Sequence, residues 1–378
     1  MLVGVIAETE PLEMRVAATP ETAKKFIALG AEFVFQRGAG ESAGVTDAEY
    51  EAAGARGASA AEILSSADVL LKVRRPGAGE LKQIKRGAAV VAIMDPYGNA
   101  PAIEAMAQAG VDAFAMELMP RITRAQVMDV LSSQANLGGY RAIVDAATEY
   151  GRAFPMMMTP AGTVPAARVF IMGVGVAGLQ AIATARRLGA IVTATDVRPA
   201  TKEQVESLGA KFVAVEDDEF KQAETSGGYA KEMSDAYKAK QAALVAAHIA
   251  KQDIVVTTAL IPGRPAPRLV SADMVKSMRS GSVIVDLAVE RGGNCELAKA
   301  GEVVTTPEGV KIVGNSSVTR LAATASALYA RNLYAFVETL IDKAQKALAI
   351  KWDDELVKAT CLTHEGQIVH PSFILTKE

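Results

Sequence analysis

The residues with the clearest chemical potential are three glycines and one aspartate. Gly173, Gly175 and Gly178 follow the apolar run Val169–Met172, and Asp196 ends the next apolar run. In that pattern the first glycine permits a tight turn, the second lets the backbone approach a pyrophosphate, and the third allows a strand and a helix to pack closely. An aspartate at the end of the second strand accepts hydrogen bonds from the ribose hydroxyls of NAD, and it repels the 2′-phosphate of NADP. The predicted contact set also includes the neighbours Val174, Val176, Val197 and Arg198.

The segment around these residues supplies the helix that such a site needs. A helical pattern (Leu179, Ile182, Leu188) separates the two apolar runs, so the order is strand, turn, helix, strand and acid. The N-terminus of that helix offers free N–H groups and a positive dipole end to an anion. We therefore predict that NAD(H) is the cofactor. A glycine-rich turn without a ligand is the alternative interpretation.

Length and composition exclude several classes of protein. The chain has 378 residues, half of them apolar, which favours a folded protein of two domains. A net charge of −3 gives no electrostatic footprint for nucleic acid. Cys295 and Cys361 have no metal-ligand spacing, so we expect reduced thiols in the cytoplasm and no metal. No signal peptide is predicted, and Val169–Ala185 fits a strand and a helix better than a membrane span.

Alternating apolar and helical runs predict an α/β protein with two Rossmann-like domains. Five strand-like runs precede Met119, and six more follow a proline-bounded linker at Pro155–Pro165. Six is the number of strands in a complete, doubly wound parallel sheet. We place the first domain at 1–131, completed by 316–378, and the NAD-binding domain at 132–315.

Long helices are expected to join the two domains. Thr123 and Gln126 have the spacing of a capping box, so a helix is predicted from there to about Tyr150, interrupted at Gly138-Gly139. A second helical stretch runs from Leu321 to about Leu348, and a hairpin follows it at the C-terminus. Because helices flank the second domain on both sides, we expect the C-terminus to return to the first domain. The cofactor is then expected in the interdomain cleft.

The residues that usually move a proton in NAD chemistry are missing. The chain has three histidines, His248, His364 and His370, so none falls in the first 247 residues. No tyrosine is followed four residues later by lysine. A cofactor site without a proton-transfer device favours direct hydride transfer between two nicotinamides.

The segment Glu117–Gln134 resembles the family of alanine dehydrogenases and transhydrogenase α subunits. The stretches GVGVAGLQAIATARRLGA, ATDVR, GGYAKEM, TTALIPGRPAP and IVDLAVERGGNC are similar to the transhydrogenase branch, and the resemblance covers essentially the whole chain. It implies an NAD(H)-binding enzyme component that exchanges hydride with NADP(H) on a partner subunit. It also implies NADP-binding and membrane-spanning partners that couple this transfer to proton translocation. A cytoplasmic homodimer, peripherally associated with the inner membrane through those partners and not itself inserted, is expected.

The resemblance also nominates the site residues. In the family, the loop Arg-Ile-Ser/Thr-Arg-Ala-Gln-x-Met-Asp-x-x-Ser holds the nicotinamide end of NAD. The matching positions are Arg121, Gln126, Asp129 and Ser132 as catalytic residues, with Ile122, Thr123, Val127 and Met128 as further contacts. Gly228 and Tyr229 match a mobile loop that folds over the nucleotide, and Gln241, Thr258, Ala259 and Leu260 match other nucleotide contacts.

Simpler interpretations of these positions remain open. Gln126 has the spacing to act in a capping box alone, and Asp129 and Ser132 suit a solvated helix face equally well. Tyr229 is equally consistent with a packed tyrosine on a surface loop.

The chain departs from the alanine dehydrogenase pattern at one position. Those enzymes grip a keto acid with an arginine and a lysine and use a histidine for the proton. Arg15 and Lys72 stand at the matching positions, but the histidine's region, Val91–Tyr97, contains Asp95 and no histidine. Alanine oxidation and a non-catalytic NAD-binding scaffold are therefore the alternative functions. Residues Gly314–Arg320 differ from the family's usual form, so the resemblance assigns no contact there.

Overall fold

A computed structural model describes residues 1–221, 233–261 and 263–374 of the chain. The chain forms two compact units, Met1–Gln134 with Thr319–Glu378, and Ala135–Val318. The boundaries expected from the sequence were 131/132 and 315/316. Each unit is built around its own sheet.

The first segment of the chain alternates strands and helices. In chain order these are β1 (Leu2–Val5), α1 (Pro20–Ala28), β2 (Glu32–Gln36), α2 (Asp47–Ala52), β3 (Arg56–Ala58), α3 (Ala60–Ser66), β4 (Val69–Arg74), α4 (Ala78–Leu81), β5 (Ala89–Ile93), α5 (Ala100–Ala109), β6 (Asp112–Ala115) and α6 (Val130–Glu149). The six strands are parallel and lie in the order β3-β2-β1-β4-β5-β6. This is the order of a complete doubly wound sheet. The five strands predicted here were one too few, because β3 has no apolar run.

Local sequence explains why these elements start where they do. Thr19 caps α1 by accepting a hydrogen bond from the N–H of Thr22, and Pro20 occupies the first helical position. β4 and β5 are almost continuously apolar because parallel strands are covered on both faces. Their position in the middle of the sheet places the end of β4, including Lys72, in the interior of the unit.

The second unit contains the glycine-rich segment. Its elements are β7 (Met157–Thr159), β8 (Gly162–Val164), β9 (Arg168–Met172), α7 (Val176–Arg187), β10 (Ile191–Thr195), α8 (Thr201–Ser207), β11 (Lys211–Phe212), α9 (Asp218–Lys221), α10 (Asp235–Ile249), β12 (Ile254–Thr257), α11 (Ala272–Lys276), β13 (Val283–Asp286), β14 (Val303–Thr305) and β15 (Lys311–Val313). The sheet order is β11-β10-β9-β12-β13-β15-β14, with β14 antiparallel to β15 and the other strands parallel. The six predicted strands of this sheet are present, and β14 is an additional edge strand.

The last segment belongs to the first unit. It forms α12 (Ala322–Thr339), β16 (Ile341–Asp342), β17 (Ala347–Leu348), α13 (Glu355–Thr360), β18 (Cys361–His364) and β19 (Gln367–Ile368). β18 pairs antiparallel with β6 and with β19, so the sheet reaches eight strands. The predicted helix over Leu321–Leu348 was too long, since the chain turns back after Thr339 into the small β16–β17 hairpin.

Two other predictions about connecting segments were wrong. The predicted linker at Pro155–Pro165 contains the β7–β8 hairpin, whose strand residues are all exposed. α6 passes through Gly138-Gly139 without interruption. Instead of breaking the helix, Gly139 brings α6 against the first turn of α7, where a Cβ at this position would collide with the carbonyl oxygen of Ala177.

The described residues contain no helix long and apolar enough to cross a membrane. Across those same residues, no group of histidine, cysteine, aspartate or glutamate side chains has the arrangement of a metal site.

Candidate functional site

The turn between β9 and α7 is shaped by its three glycines. Gly173 has φ +104°, and a Cβ there would lie 2.6 Å from the hydroxyl of Thr258. A Cβ at Gly178 would collide with the carbonyl oxygen of Gly173, so this glycine permits the close approach of helix and strand. A Cβ at Gly175 would meet no protein atom within 4 Å. The backbone at Gly175 therefore faces open space, as close approach of a ligand requires.

The N-terminus of α7 is available to an anion. Gly175 is its N-cap residue and supplies no side-chain cap, so the N–H groups of the first turn have no side-chain acceptor there. These groups and the helix dipole together attract negative charge. The arrangement suits the pyrophosphate of a dinucleotide.

Asp196 lies just beyond β10 and is held by four donors. Its carboxylate accepts hydrogen bonds from the N–H groups of Val174 (2.7 Å) and Arg198 (2.9 Å). The Arg198 guanidinium donates two more, from Nε (2.9 Å) and Nη2 (3.1 Å). Four donors fill the acceptor sites of a carboxylate. Ribose hydroxyls would therefore reach Asp196 by replacing the guanidinium of Arg198, whose side chain is one-third exposed.

The end of β12 lies next to the glycine turn. The hydroxyl of Thr258 donates to the carbonyl oxygen of Gly173 (3.0 Å), and the amide of Asn294 bonds both backbone groups of Ala259. Sequence reasoning did not identify Asn294, although a buried asparagine after an apolar strand is a signal for such bracing. Three predicted contact residues here, Val176, Val197 and Leu260, expose apolar side chains that suit the faces of a planar ring.

Gln241 is engaged with its own protein. Its side-chain oxygen accepts from the N–H of Val215 (2.9 Å), and its amide nitrogen donates to the hydroxyl of Thr195 (3.3 Å). This residue therefore fastens α10 to the ends of β10 and β11. Gly228 and Tyr229 lie outside the described residues.

The loop 121–132 of the first unit does not contain the predicted capping box. Thr123–Met128 forms a 3₁₀ helix without a side-chain cap, and α6 begins only at Val130. The cap of α6 is instead made by Asp129, whose carboxylate accepts from the backbone N–H (2.8 Å) and the hydroxyl of Ser132. Aspartate is a better helix cap than threonine, and its short side chain reaches the N–H three residues on. Of the four predicted catalytic residues, the structure brings Asp129 and Ser132 together.

Arg121 and Gln126 present their side chains to solvent. Both residues are exposed, and neither side chain has a hydrogen-bond partner within the described part of the chain. Val127 is also exposed. The loop thus combines a cation, an amide and an apolar side chain that remain available to a ligand.

Contacts with the last segment hold this loop in place. Arg124 forms a two-pronged ion pair with Asp354, the cap of α13, and a further bond to Glu355. The amide of Asn332 donates to the carbonyl oxygen of Val127 (2.8 Å) and accepts from the hydroxyl of Ser133 (2.7 Å). These anchors escaped sequence reasoning because their partners lie more than 190 residues away.

The two residues that match the keto-acid ligands of alanine dehydrogenases are already paired. Arg15 forms a fork with the carboxylate of Glu13 (2.7 and 2.6 Å), and its remaining Nη1 donates to Gln134 (2.9 Å). Lys72 lies 2.9 Å from Glu80 and 3.5 Å from Glu8. Burial raises the pKa of Glu8 in spite of that lysine. Both cations are therefore neutralised within the unit.

Asp95 occupies the region where alanine dehydrogenases carry a histidine. Its backbone is left-handed, with φ +49°, and its N–H donates to the buried carboxylate of Glu117. Its own carboxylate lies 3.6 Å from Arg75, which favours the charged form. This contact makes Asp95 a poor proton carrier near neutral pH.

Together, two doubly wound sheets and a glycine turn followed by a strand-terminal aspartate define a two-domain protein of the dinucleotide-binding class. The family models for the alanine dehydrogenase/PNT N-terminal and C-terminal domains match residues 4–138 and 142–371. The chain belongs to this family.

Individual relatives lie closer to one branch. The chain is 55% identical over 379 aligned positions to an NAD(P) transhydrogenase subunit alpha of Rhodospirillum rubrum, covering 98% of each chain. It is 31% identical to the alanine dehydrogenase of Mycobacterium tuberculosis, over 78% of this chain and 74% of that one. The crystal structure of a transhydrogenase from Sinorhizobium meliloti superposes with a TM-score of 0.89 at 61% identity, covering 98% of this chain and all of that one.

Proposed function

We propose that this chain is the NAD(H)-binding component of a transhydrogenase, passing hydride from NADH to NADP⁺ held by a partner subunit. The observation that carries the proposal is a complete dinucleotide turn, Gly173–Gly178 with Asp196, in a chain whose Asp95 replaces the usual proton-carrying histidine. The sequence relatives named transhydrogenase support it.

The chemistry asks little of the protein beyond positioning. Hydride leaves C4 of the dihydronicotinamide and adds to C4 of the acceptor ring, so NADH becomes NAD⁺ and NADP⁺ becomes NADPH. No proton is exchanged in this step, and the protein needs no general acid or base. Its contribution is to hold the two rings at reactive distance.

Each set of predicted residues has a distinct task in this proposal. The N-terminus of α7 would bind the pyrophosphate, and Asp196 would accept the ribose hydroxyls once Arg198 moves away. Arg121 and Gln126 would fix the carboxamide and its ribose, because a cation and an amide supply complementary donors and acceptors. Asp129 and Ser132, joined in the α6 cap, would orient that loop.

Proton translocation would reside in a membrane-spanning partner, with this chain docked peripherally on the cytoplasmic side of the inner membrane. A homodimer is part of the proposal. The β7–β8 hairpin supports it, since an exposed two-stranded hairpin carrying Met157 and Met158 gains stability from a covering surface. Light scattering on the purified chain tests this, and a monomeric mass would contradict it.

Stopped-flow mixing with the NADP-binding and membrane partners tests the transfer itself. We expect NADH-dependent reduction of an NADP⁺ analogue only when the partners are present. Asp196→Ala should weaken NADH binding about 10-fold or more, because ribose hydrogen bonds to a charged group are lost. Absence of transfer in the reconstituted complex would refute the proposal.

An assay of the chain alone separates the main alternative. Alanine oxidation needs a free grip for the keto acid, whereas Arg15 and Lys72 are held by Glu13, Glu8 and Glu80. We therefore expect no NADH to form from alanine and NAD⁺. Turnover in this assay would favour an alanine dehydrogenase instead.

A further inference from the structure

Two buried polar atoms at the end of β15 lack a partner. Within the described residues, Oδ1 of Asn315 and Oγ of Ser316 are the buried side-chain oxygens or nitrogens that make no hydrogen bond. Buried polar groups are nearly always satisfied, so an orphaned pair calls for an explanation. Neither residue belongs to the contact set predicted from the sequence.

Their place in the fold is on the ligand edge of the second sheet. β15 runs parallel to β13, which is parallel to β12, and β12 is parallel to β9. Asn315 and Ser316 therefore follow a strand whose carboxyl end lies on the same edge as the glycine turn. In open α/β sheets, ligands bind outside this edge.

The direction of a bound dinucleotide follows from two fixed points. Asp196 lies at the end of β10, on one side of β9, and the glycine turn lies at the end of β9 itself. A nucleotide held at both points must extend its other half towards β12, β13 and β15. β15 is three strands from β9, or about 14 Å at the usual strand spacing. That is the side where the nicotinamide half would lie.

We infer that Asn315 and Ser316 bind the carboxamide of the nicotinamide and act as positioning residues. The carboxamide offers an NH₂ donor for the Asn315 oxygen and a carbonyl acceptor for the Ser316 hydroxyl. Both orphaned atoms would then be satisfied by one planar group, and the ring would be fixed in rotation. This inference rests on the proposed function, because it assumes that NAD(H) occupies the site.

Fluorescence titration of the full chain with NADH, and competition with ADP-ribose, tests the inference. ADP-ribose retains the adenosine, pyrophosphate and second ribose but has no nicotinamide. Asn315→Ala should weaken NADH binding about 3- to 10-fold, the range for one hydrogen bond, and leave ADP-ribose binding within about 2-fold. Ser316→Ala should behave in the same way. Asp196→Ala is the matched control, since it should weaken both ligands.

A ligand variant gives a readout that a merely structural role would not move. The 3-acetylpyridine analogue of NADH replaces the carboxamide NH₂ with a methyl group and cannot donate to Asn315. The wild-type chain should prefer NADH over this analogue, and Asn315→Ala should lose that preference. Equal weakening of NADH and ADP-ribose, or an unchanged preference, would overturn the inference. If the wild-type chain binds neither ligand, the proposed function itself fails.

Discussion

The two units of this chain share one strand order but treat the end of their first strand in opposite ways. In the second unit, β9 passes through the turn at Gly173–Gly175 directly into α7, and the helix N-terminus stays open. In the first unit, residues 6–19 lie between β1 and α1. This longer connection fills the ligand edge with the protein's own side chains.

Those side chains form a buried ionic cluster, defined here as Glu8, Glu13, Arg15 and Lys72. Each is at most 3% exposed at its side chain, and the pairs lie between 2.6 and 3.5 Å apart. Burial alone would raise the pKa of Glu13, but Arg15 and Arg74 outweigh it and lower that pKa. The comparison teaches that topology creates a ligand edge, while the first turn decides whether a ligand or the chain itself occupies it.

Removing one charge from the cluster should produce the largest effect. Lys72→Met leaves Glu8 and Glu80 without their cation in a buried site, so we expect the free energy of unfolding to fall by about 3–5 kcal/mol. Trp352, the single tryptophan, lies in the first unit against His364, so its emission reports on this unit during urea unfolding. NADH affinity of the second unit should change little.

The double variant Glu8→Gln with Lys72→Met serves as the control for this prediction. Because it removes both members of one buried pair, it should recover part of the stability lost by Lys72→Met alone. A single variant as stable as the wild type would mean that the cluster contributes nothing to the first unit.

A pair of glycine substitutions should break the second unit in two different ways. Gly178→Ala forces a Cβ into the carbonyl oxygen of Gly173, so we expect a loss of about 1–3 kcal/mol in the stability of this unit, measured by circular dichroism. Gly175→Ala meets no protein atom and has φ −84°, so stability should be unchanged. NADH binding should nevertheless weaken, because the added methyl occupies the approach to the pyrophosphate. Equal melting temperatures for both variants would contradict this assignment.

Much of this architecture could be predicted from apolar periodicity, since the six parallel strands of the second unit are buried apolar runs. β3 and the β7–β8 hairpin escaped because neither contains a buried apolar run, and pairing alone defines them. The cap of α6 was misplaced by six residues because Thr123 and Asp129 are both competent caps, and only the three-dimensional anchoring of the loop by Arg124 and Asn332 selects one. The ionic partners of Arg15 and Lys72 were likewise invisible, since long-range pairing leaves no local signal.

The smallest predicted effect separates the units by their response to acid. Burial lowers the pKa of His248, whose Nε2 lies 2.8 Å from the hydroxyl of Thr193 in the second unit. Burial likewise lowers the pKa of His370 in the first unit. A histidine with a lowered folded pKa is protonated first in the unfolded chain, so stability is lost as the pH falls below 6.5 towards the folded value.

His248→Gln should therefore reduce the acid sensitivity of the second unit, followed by circular dichroism between about pH 7 and about pH 5. His370→Gln should reduce that of the first unit, followed by Trp352 emission. Above pH 6.5 neither variant should alter the pH dependence. If both variants affected the same transition, the two histidines would not report on separate units.

The contact between Gly139 and Ala177 changes how the dinucleotide fingerprint should be understood as information. Ala177 lies inside the contiguous motif Gly173–Gly178, yet its position is secured by the absence of a side chain more than thirty residues upstream. A search restricted to the contiguous window would accept a chain in which Gly139 had become alanine. In such a chain the motif would be intact by spelling, and the first turn of α7 would be displaced.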